Sequence, residues 1–467
     1  MLWALIIFSF PFTDIQFPKA ARGFGQPSTY LALVLCVLVL LKIMRERESL
    51  GFLKNKAFLF MFVFWLVAGI SIYQSLKAPL SPWLEYSDPL SVSVGQFIQL
   101  SVSLSVTVLT CYFVRDWRDF RFAMTCYFAG WIGSVLVQAL DFAAYSRPNS
   151  TLLQVANEFF HNTPFWQFEG PFPRLRLSGS EGSWASDYLI CLIPFFVMKS
   201  YYWKSRNWNA TNASAAIIVL FATMSFGGLA VFAGQAVLMA VMLGRRAVGF
   251  LAFAGAAPLV LALVISPAYV NTVWNRTIGV YNYGIESEDF SVRTRAALVE
   301  SEWNAFLEHP WLGVGIGDSP FYVPGAWPTW AARDPRISWV LRNPADAINL
   351  YIQVLSETGL VGATVFAALL VTMAGGTFKA YRKASEAWKK SVYAGVLVAL
   401  LGQIAHYTSM NRFFLHYWFF IWGLAICVVR LAGQTDPSMR VQGTRYRRKL
   451  AGEFALAGSL TRRVNLT

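Results

Sequence analysis

Runs of about twenty apolar residues recur from one end of the chain to the other, and a helix of that length crosses the hydrocarbon core of a bilayer. Inside lipid each backbone N–H and C=O needs a partner within the chain, which leaves helices or closed barrels as spanning structures. Barrel strands need only about half this length, so the runs read as helices. Composition agrees: 14% of the 467 residues are charged, against roughly 25% in soluble domains. The expected fold class is all-α, a polytopic transmembrane helical bundle of about twelve spans. They fall near 1–12, 27–44, 57–76, 93–114, 122–141, 186–203, 211–225, 227–244, 249–269, 346–375, 391–409 and 413–431. The 211–244 stretch reads as one long helix broken at Ser225-Phe226-Gly227-Gly228 or as two short ones.

Net charge is +14, a value that would suit a nucleic-acid partner, but its distribution excludes one. Lys and Arg gather in the short segments RERESLGFLKNK, RDWRDFR, KSRNW, GRR and KAYRKASEAWKK and in the tail RYRRK. With twelve spans these share one side, which the positive-inside rule makes cytoplasmic, together with the C-terminus. Splitting 211–244 keeps GRR on that side. The chain then divides into an N-terminal bundle (1–269, with an outer loop at 142–185), a large outer loop (270–345), C-terminal helices (346–431) and a basic tail (432–467). Cys36, Cys111, Cys126, Cys191 and Cys427 have no paired spacing, so neither a disulfide framework nor a zinc site is indicated. Met1 to Phe12 lacks the basic start and small-residue cleavage site of a signal peptide and reads as a short first span.

The two outer loops carry only arginine as their basic residue: Arg147, Arg174, Arg176, Arg276, Arg293, Arg295, Arg333, Arg336 and Arg342. A guanidinium fork grips phosphate or carboxylate oxygens bidentately, which lysine does not. The competing reading pairs these arginines with the loops' own acids. In the second loop Ser291 is placed to cap a helix running to Glu308. Val299, Trp303, Phe306 and Leu307 share one of its faces, with Arg295, Glu300, Glu302 and Glu308 largely elsewhere, as in a helix lying on the membrane or the bundle. His309-Pro310 ends it, and Gly313, Gly315 and Gly317 permit a tight turn. A nucleotide fingerprint is excluded, since no strand precedes the glycines and no P-loop lysine follows. The insert reads as an outer lid that carries arginines.

Three segments, in order, resemble the O-antigen ligase / Wzy-type O-antigen and exopolysaccharide polymerase superfamily of bacterial envelope glycosyltransferases. RLRLSGSEGSWASDYL (174–189) is similar to an Arg-x-x-Gly segment with Glu and Ser before a span. RTRAALVESEWNAFLEHPWLGVGIGD (293–318) resembles an Arg, helix, His-Pro-x-x-Gly-x-Gly pattern, and DAINLYIQVLSETGLVGA (346–363) resembles HNxYLxxxxETGxxG. The resemblance implies an enzyme of the inner membrane that transfers a glycan from undecaprenyl diphosphate at the periplasmic face, without metal or other cofactor. Its acceptor is another lipid-linked repeat unit in a polymerase, or lipid A–core in a ligase. A flippase and a chain-length regulator are the partners implied. Two positions depart from the pattern. Ile348 stands where the family has a histidine usually given a catalytic role, and Ser225-Phe226-Gly227 replaces a Ser-Arg-Gly break. The first departure, with the Glu-x-Ser in SGSEGSWAS, favours polymerase over ligase.

Such chemistry needs cations to hold the diphosphate and offset its growing charge, and a base for the acceptor hydroxyl. Arg176 is the first candidate for the diphosphate, followed by Arg293 and Arg295, either of which fits the family position. Anionic headgroups are the alternative partners of all three. Glu181 is a candidate base or sugar ligand, or else a salt-bridge partner of Arg174 or Arg176. Asp346 lies two residues before the missing histidine and serves either as its substitute or as the N-cap of AINLYIQVL. Arg174, Asn349, Trp327, Trp330 and Arg342 are candidate substrate contacts; for Asn349 the competitor is a helix-start hydrogen bond, for the tryptophans the membrane interface. Asp187, Glu357, His309, His406 and His416 read as structural. A transporter is the rival outside enzymology, disfavoured because the polar content sits in loops and the halves show no repeat.

Overall fold

The computed structural model describes residues 1–13, 26–48, 50–79, 88–145, 166–169, 172–177, 182–202, 206–223, 225–243, 290–335, 337, 348–410, 413 and 415–432. The helices are α1 (Leu2–Phe8), α2 (Pro27–Glu46), α3 (Lys56–Ser71), α4 (Pro89–Phe113), α5 (Trp117–Tyr145), α6 (Gly182–Tyr202), α7 (Arg206–Ala222), α8 (Phe226–Leu243), α9 (Phe290–Glu308), α10 (Ser319–Ala326), α11 (Thr329–Ala332), α12 (Leu350–Lys383), α13 (Ala387–His406) and α14 (His416–Leu431). A two-stranded antiparallel hairpin, β1 (Trp166–Glu169) with β2 (Phe172–Leu175), pairs Gln167 with Arg174 just before α6. Seven of the described helical segments are long and apolar enough to cross a membrane, with α14 somewhat shorter. The chain is an all-α polytopic membrane protein.

Local signals set the helix starts. Asn55 caps α3 by accepting the Ala57 N–H at 2.9 Å, and Asp88 caps α4 by accepting the Ser91 N–H at 3.1 Å ahead of a helix that begins with Pro89. The 211–244 stretch is two helices, α7 and α8, parted at Thr223 to Ser225. The expected span at 249–269 lies outside the described residues.

α13 is central: from Tyr393 to Leu400 every residue is buried, and its main neighbours are α6, α12, α8 and α14. A helix apolar all round belongs inside. α2 takes the opposite role, exposing Val37, Leu38, Leu40 and Leu41 along its outer face. The bundle has two distinguishable ends. At one, Arg430 donates to the carbonyl oxygens of Cys111 and Val114, and Ser391 donates to Met198 O. At the other, the starts of α2, α4, α6, α8, α12 and α14 meet the ends of α3 and α13, and the loop helices sit on this end.

Two expectations for the loop are corrected. α9 begins at Phe290, so Ser291 lies within its first turn rather than capping it. Its buried face is Ala297, Leu298, Ser301, Glu302, Ala305 and Phe306, whereas Trp303 and Leu307 are exposed. The polar Ser301 and Glu302 face inward because this loop docks on other polar groups, and the expected hydrophobic stripe is split, with Phe306 buried and Trp303 and Leu307 turned outward.

Candidate functional site

The turn after α9 completes another helix. α12 is interrupted at Gly359, whose φ is 64°. In an unbroken helix the carbonyls of Ser356 and Glu357 would accept from the amides of residues 360 and 361. Here Val314 N–H donates to Ser356 O at 2.8 Å and Gly315 N–H to Glu357 O at 3.1 Å. The freed amides donate in turn to the loop, Leu360 N–H to Pro310 O at 2.8 Å and Val361 N–H to Trp311 O at 3.3 Å. Four inter-segment bonds thus replace two helical ones, so the carbonyls of Ser356 and Glu357 and the amides of Leu360 and Val361 all keep partners. A Cβ on Gly313 would overlap the backbone of Ser356, Glu357 and Thr358, and one on Gly359 that of Trp311 and Leu312. Only glycine permits two backbones this close.

The tip of the turn is buried between α3 and α4. Ile316 N–H donates to Ser71 Oγ at 3.1 Å, and Ser93 Oγ donates to Ile316 O at 2.6 Å. Asp318 is fully buried beside Ser75 and Ser93; burial pushes its carboxyl up to about 6, while those hydroxyls pull the other way. Glu357 accepts from Gln353 Nε2 at 3.0 Å and Ser319 Oγ at 3.2 Å, and Glu302 accepts from Ser356 Oγ at 3.5 Å. The lid is therefore bolted to the bundle by buried polar contacts.

Arg176 follows β2 directly and is buried. It lines a small cavity with Phe10, Trp184, Tyr188 and Tyr417. Beyond the cavity wall lies a buried polar cluster. Asp187 Oδ1 stands 2.7 Å from His406 Nδ1, and its Oδ2 accepts from the Tyr417 hydroxyl at 2.9 Å and from Trp418 Nε1. Asp187 is 0% and His406 1% exposed. The second ring nitrogen of His406 faces the α7–α8 break, where a Cβ on Gly227 would lie 3.6 Å from it. Tyr417 belongs to both cavity and cluster.

The remaining arginines stand on α9. Arg293 Nε is 2.9 Å from Asp334 Oδ2, and its guanidinium lies 5.4 Å from the centroid of Trp330. Trp330 Nε1 donates to Glu300 Oε2 at 2.8 Å. Arg293 and Trp330 are therefore each engaged with the loop's own acids. Arg295 is half-buried. Trp327 packs beside Leu298, Val323, Ala331 and Ile337. Neither Arg293 nor Arg295 lines the cavity that holds Arg176. Asn349 is the N-cap of α12, accepting from the amides of Tyr351 at 3.1 Å and Ile352 at 3.3 Å. The helix thus starts after Asn349, not after Asp346. Glu181, Asp346 and Arg342 lie outside the described residues, as does the side chain of Arg174. The Asp187–His406 cluster was the feature that sequence reasoning set aside. Its signal was two ionisable residues within spans, where charge is costly unless paired or functional.

Residues 211–367 match the O-antigen ligase family. No curated protein matches the chain. The O-antigen ligase match takes in most of α7, α8 to α11, the turn at 310–318 and the break at Gly359, and with them two of the three segments on which the resemblance rests. Arg176, Asp187, His406 and Tyr417 lie outside the matched residues. The match supports a membrane role of the O-antigen ligase or polymerase type.

Proposed function

We propose that this protein is a glycan polymerase, joining oligosaccharide repeat units carried on undecaprenyl diphosphate at the periplasmic face of the inner membrane. The observation that carries the reading is that Arg176 and Tyr417 line one cavity, and Tyr417 touches the carboxylate that also holds His406. A cation and a proton acceptor thus stand side by side. In the reaction the acceptor hydroxyl attacks the anomeric carbon as the bond from that carbon to the diphosphate oxygen breaks. The bonding pair leaves with the diphosphate, and the hydroxyl proton passes to the base. Arg176 would hold the diphosphate and offset the charge it gains. The Asp187–His406 pair would take the proton by way of Tyr417, the member of the cluster that lines the Arg176 cavity. Glu181 and Asp346 remain candidates for the same duty, and Arg293 or Arg295 for a second hold on the substrate. Arg174, Asn349, Trp327, Trp330 and Arg342 are proposed sugar or phosphate contacts. The division of the chain at residues 269, 345 and 431 and a cytoplasmic C-terminus belong to the same proposal, as do a flippase and a chain-length regulator as partners.

The test is glycan chain length on gels from cells carrying Arg176→Ala and Arg176→Lys. We expect both variants to lose long chains, alanine the more completely, because lysine keeps the charge without the fork. Normal long chains from both would remove Arg176 from the diphosphate. A ligase is the second reading, favoured by the family description itself. Deletion separates the two: single repeat units on lipid A–core mark a polymerase, and loss of all polymer from lipid A–core marks a ligase.

A further inference from the structure

One face of α12 measures the bilayer. Leu360, Thr364, Ala367, Val371, Gly375 and Phe378 are exposed along it, three or four residues apart as on a single side of a helix. From Leu360 to Phe378 a helix rises about 27 Å, close to the roughly 30 Å of a hydrocarbon core. Lys379, Arg382 and Lys383 follow, also exposed, and such cations belong outside that core. The stripe therefore faces lipid, and Leu360 marks the boundary of the hydrocarbon at its other end. The break at Gly359 stands at that boundary.

The glycine turn fixes the loop at the same level. Leu360 N–H and Val361 N–H donate to the carbonyls of Pro310 and Trp311, so Trp311, 70% exposed, lies where the stripe meets the headgroups. Leu307 and Trp303, four and eight residues earlier, are exposed as well and share one face of α9. Glu302, beside Trp303, accepts from Ser356 Oγ at 3.5 Å, and Ser356 precedes Leu360 by about one turn. The headgroup layer is about 5–8 Å deep on each side of the core, so this part of α9 lies within it. An indole suits such a layer, since its ring is apolar and its N–H can donate to lipid ester carbonyls.

We propose that Trp303, Leu307 and Trp311 form a membrane-seating face, by which the loop rests in the headgroup layer of the phospholipids around α12. The inward face of α9 holds the loop to the bundle, and the outward face, continuous with the lipid-facing stripe of α12, is covered by lipid. That layer is hydrated, so side chains in it stay open to small water-soluble reagents. The seat does not depend on the reaction proposed above.

The test uses the full-length chain without its native cysteines, in liposomes of phosphatidylcholine and phosphatidylglycerol, with bimane attached at Trp303→Cys, Leu307→Cys or Trp311→Cys. Gly325→Cys and Ala332→Cys, exposed on the same loop, are the controls. Part of the phosphatidylcholine carries a nitroxide at the top of an acyl chain. We expect the nitroxide to quench the first three positions at least about threefold more strongly than the two controls. Equal quenching at all five overturns the proposal. Pyrene at Leu307→Cys that gives excimer emission would put a second copy of the chain on this face and overturn it equally. Should the cysteine-free chain fail to fold, benzoylphenylalanine at positions 303 and 307 of the otherwise native chain decides. Photo-adducts with phospholipid support the seat, and adducts with protein alone overturn it.

Discussion

A methyl group on Gly313 would collide with the backbone of α12, and one on Gly359 with that of the turn. Both glycines also hold positive φ, 70° and 64°, where a side chain costs about 1–3 kcal/mol even without a collision. We expect Gly313→Ala and Gly359→Ala each to destabilise the protein by more than about 3 kcal/mol, read as thermal unfolding in detergent. Gly325→Ala, where a Cβ meets nothing within 4 Å, should change it by less than about 0.5 kcal/mol. Equal behaviour of the three would mean that the turn is not seated on the break. Asp318 makes a pH prediction. Burial raises its carboxyl from 3.8 to about 6, so the folded protein holds this proton more tightly than the unfolded chain does. The stabilisation from this group is complete below about pH 3.8 and is lost as pH rises through about 6. Unfolding midpoints of the wild type should therefore fall between pH 5 and 7 more steeply than those of Asp318→Asn, which cannot ionise. Parallel curves would show that Asp318 does not titrate in that window.

At the scale of elements, α9 shows where periodicity misleads. Apolar spacing alone sets Val299, Trp303, Phe306 and Leu307 on the docking face, yet Trp303 and Leu307 are exposed and Glu302 is fully buried. The docking face is chosen by what it meets, namely Ser356 on α12 and the small cluster of Leu298 with Val323. Leu298→Ala should cost about 2–5 kcal/mol and Leu307→Ala less than about 0.5 kcal/mol, measured by the same unfolding assay. The reverse order would restore the face drawn from the sequence. Seven of the expected spans were legible, as was the division of 211–244 into α7 and α8, because twenty-residue apolar runs report on lipid whatever lies beside them; the short span expected at 1–12 holds only the seven-residue α1. The replacement of two helical bonds by four bonds to the turn was not legible, since pairings between distant segments leave no local period. The glycines announced a close approach but not its partner.

For the whole molecule, one end gathers the loop helices, the glycine turn, Arg176 and the Asp187–His406 cluster, and the other gathers Arg115, Lys389, Lys390 and Arg430. The proposed orientation, with the second end in the cytoplasm, rests on the charge asymmetry read from the sequence. A cysteine replacing exposed Trp311 should then react in intact cells with a membrane-impermeant maleimide, and one replacing Lys390 only after lysis, each in a background lacking the native cysteines. Labelling in the opposite sense would turn the proposed reaction to the wrong face. The candidate residues were less legible than the architecture. Arginine-only loops pointed to Arg176 and Arg293 alike, but the structure ties Arg293 to Asp334 and Trp330. Asp187 and His406 come from helices far apart in sequence, and only packing brings their side chains to 2.7 Å.

The interrupted helix also bears on how the chain is made. Its N-terminal turns can coil as they leave the ribosome, but the rod becomes continuous only when a strip of backbone synthesised earlier is waiting to fill the gap. Had the order been reversed, a span with an open seam would have entered lipid before its patch existed. Translation order thus makes the loop a template for the helix that follows it.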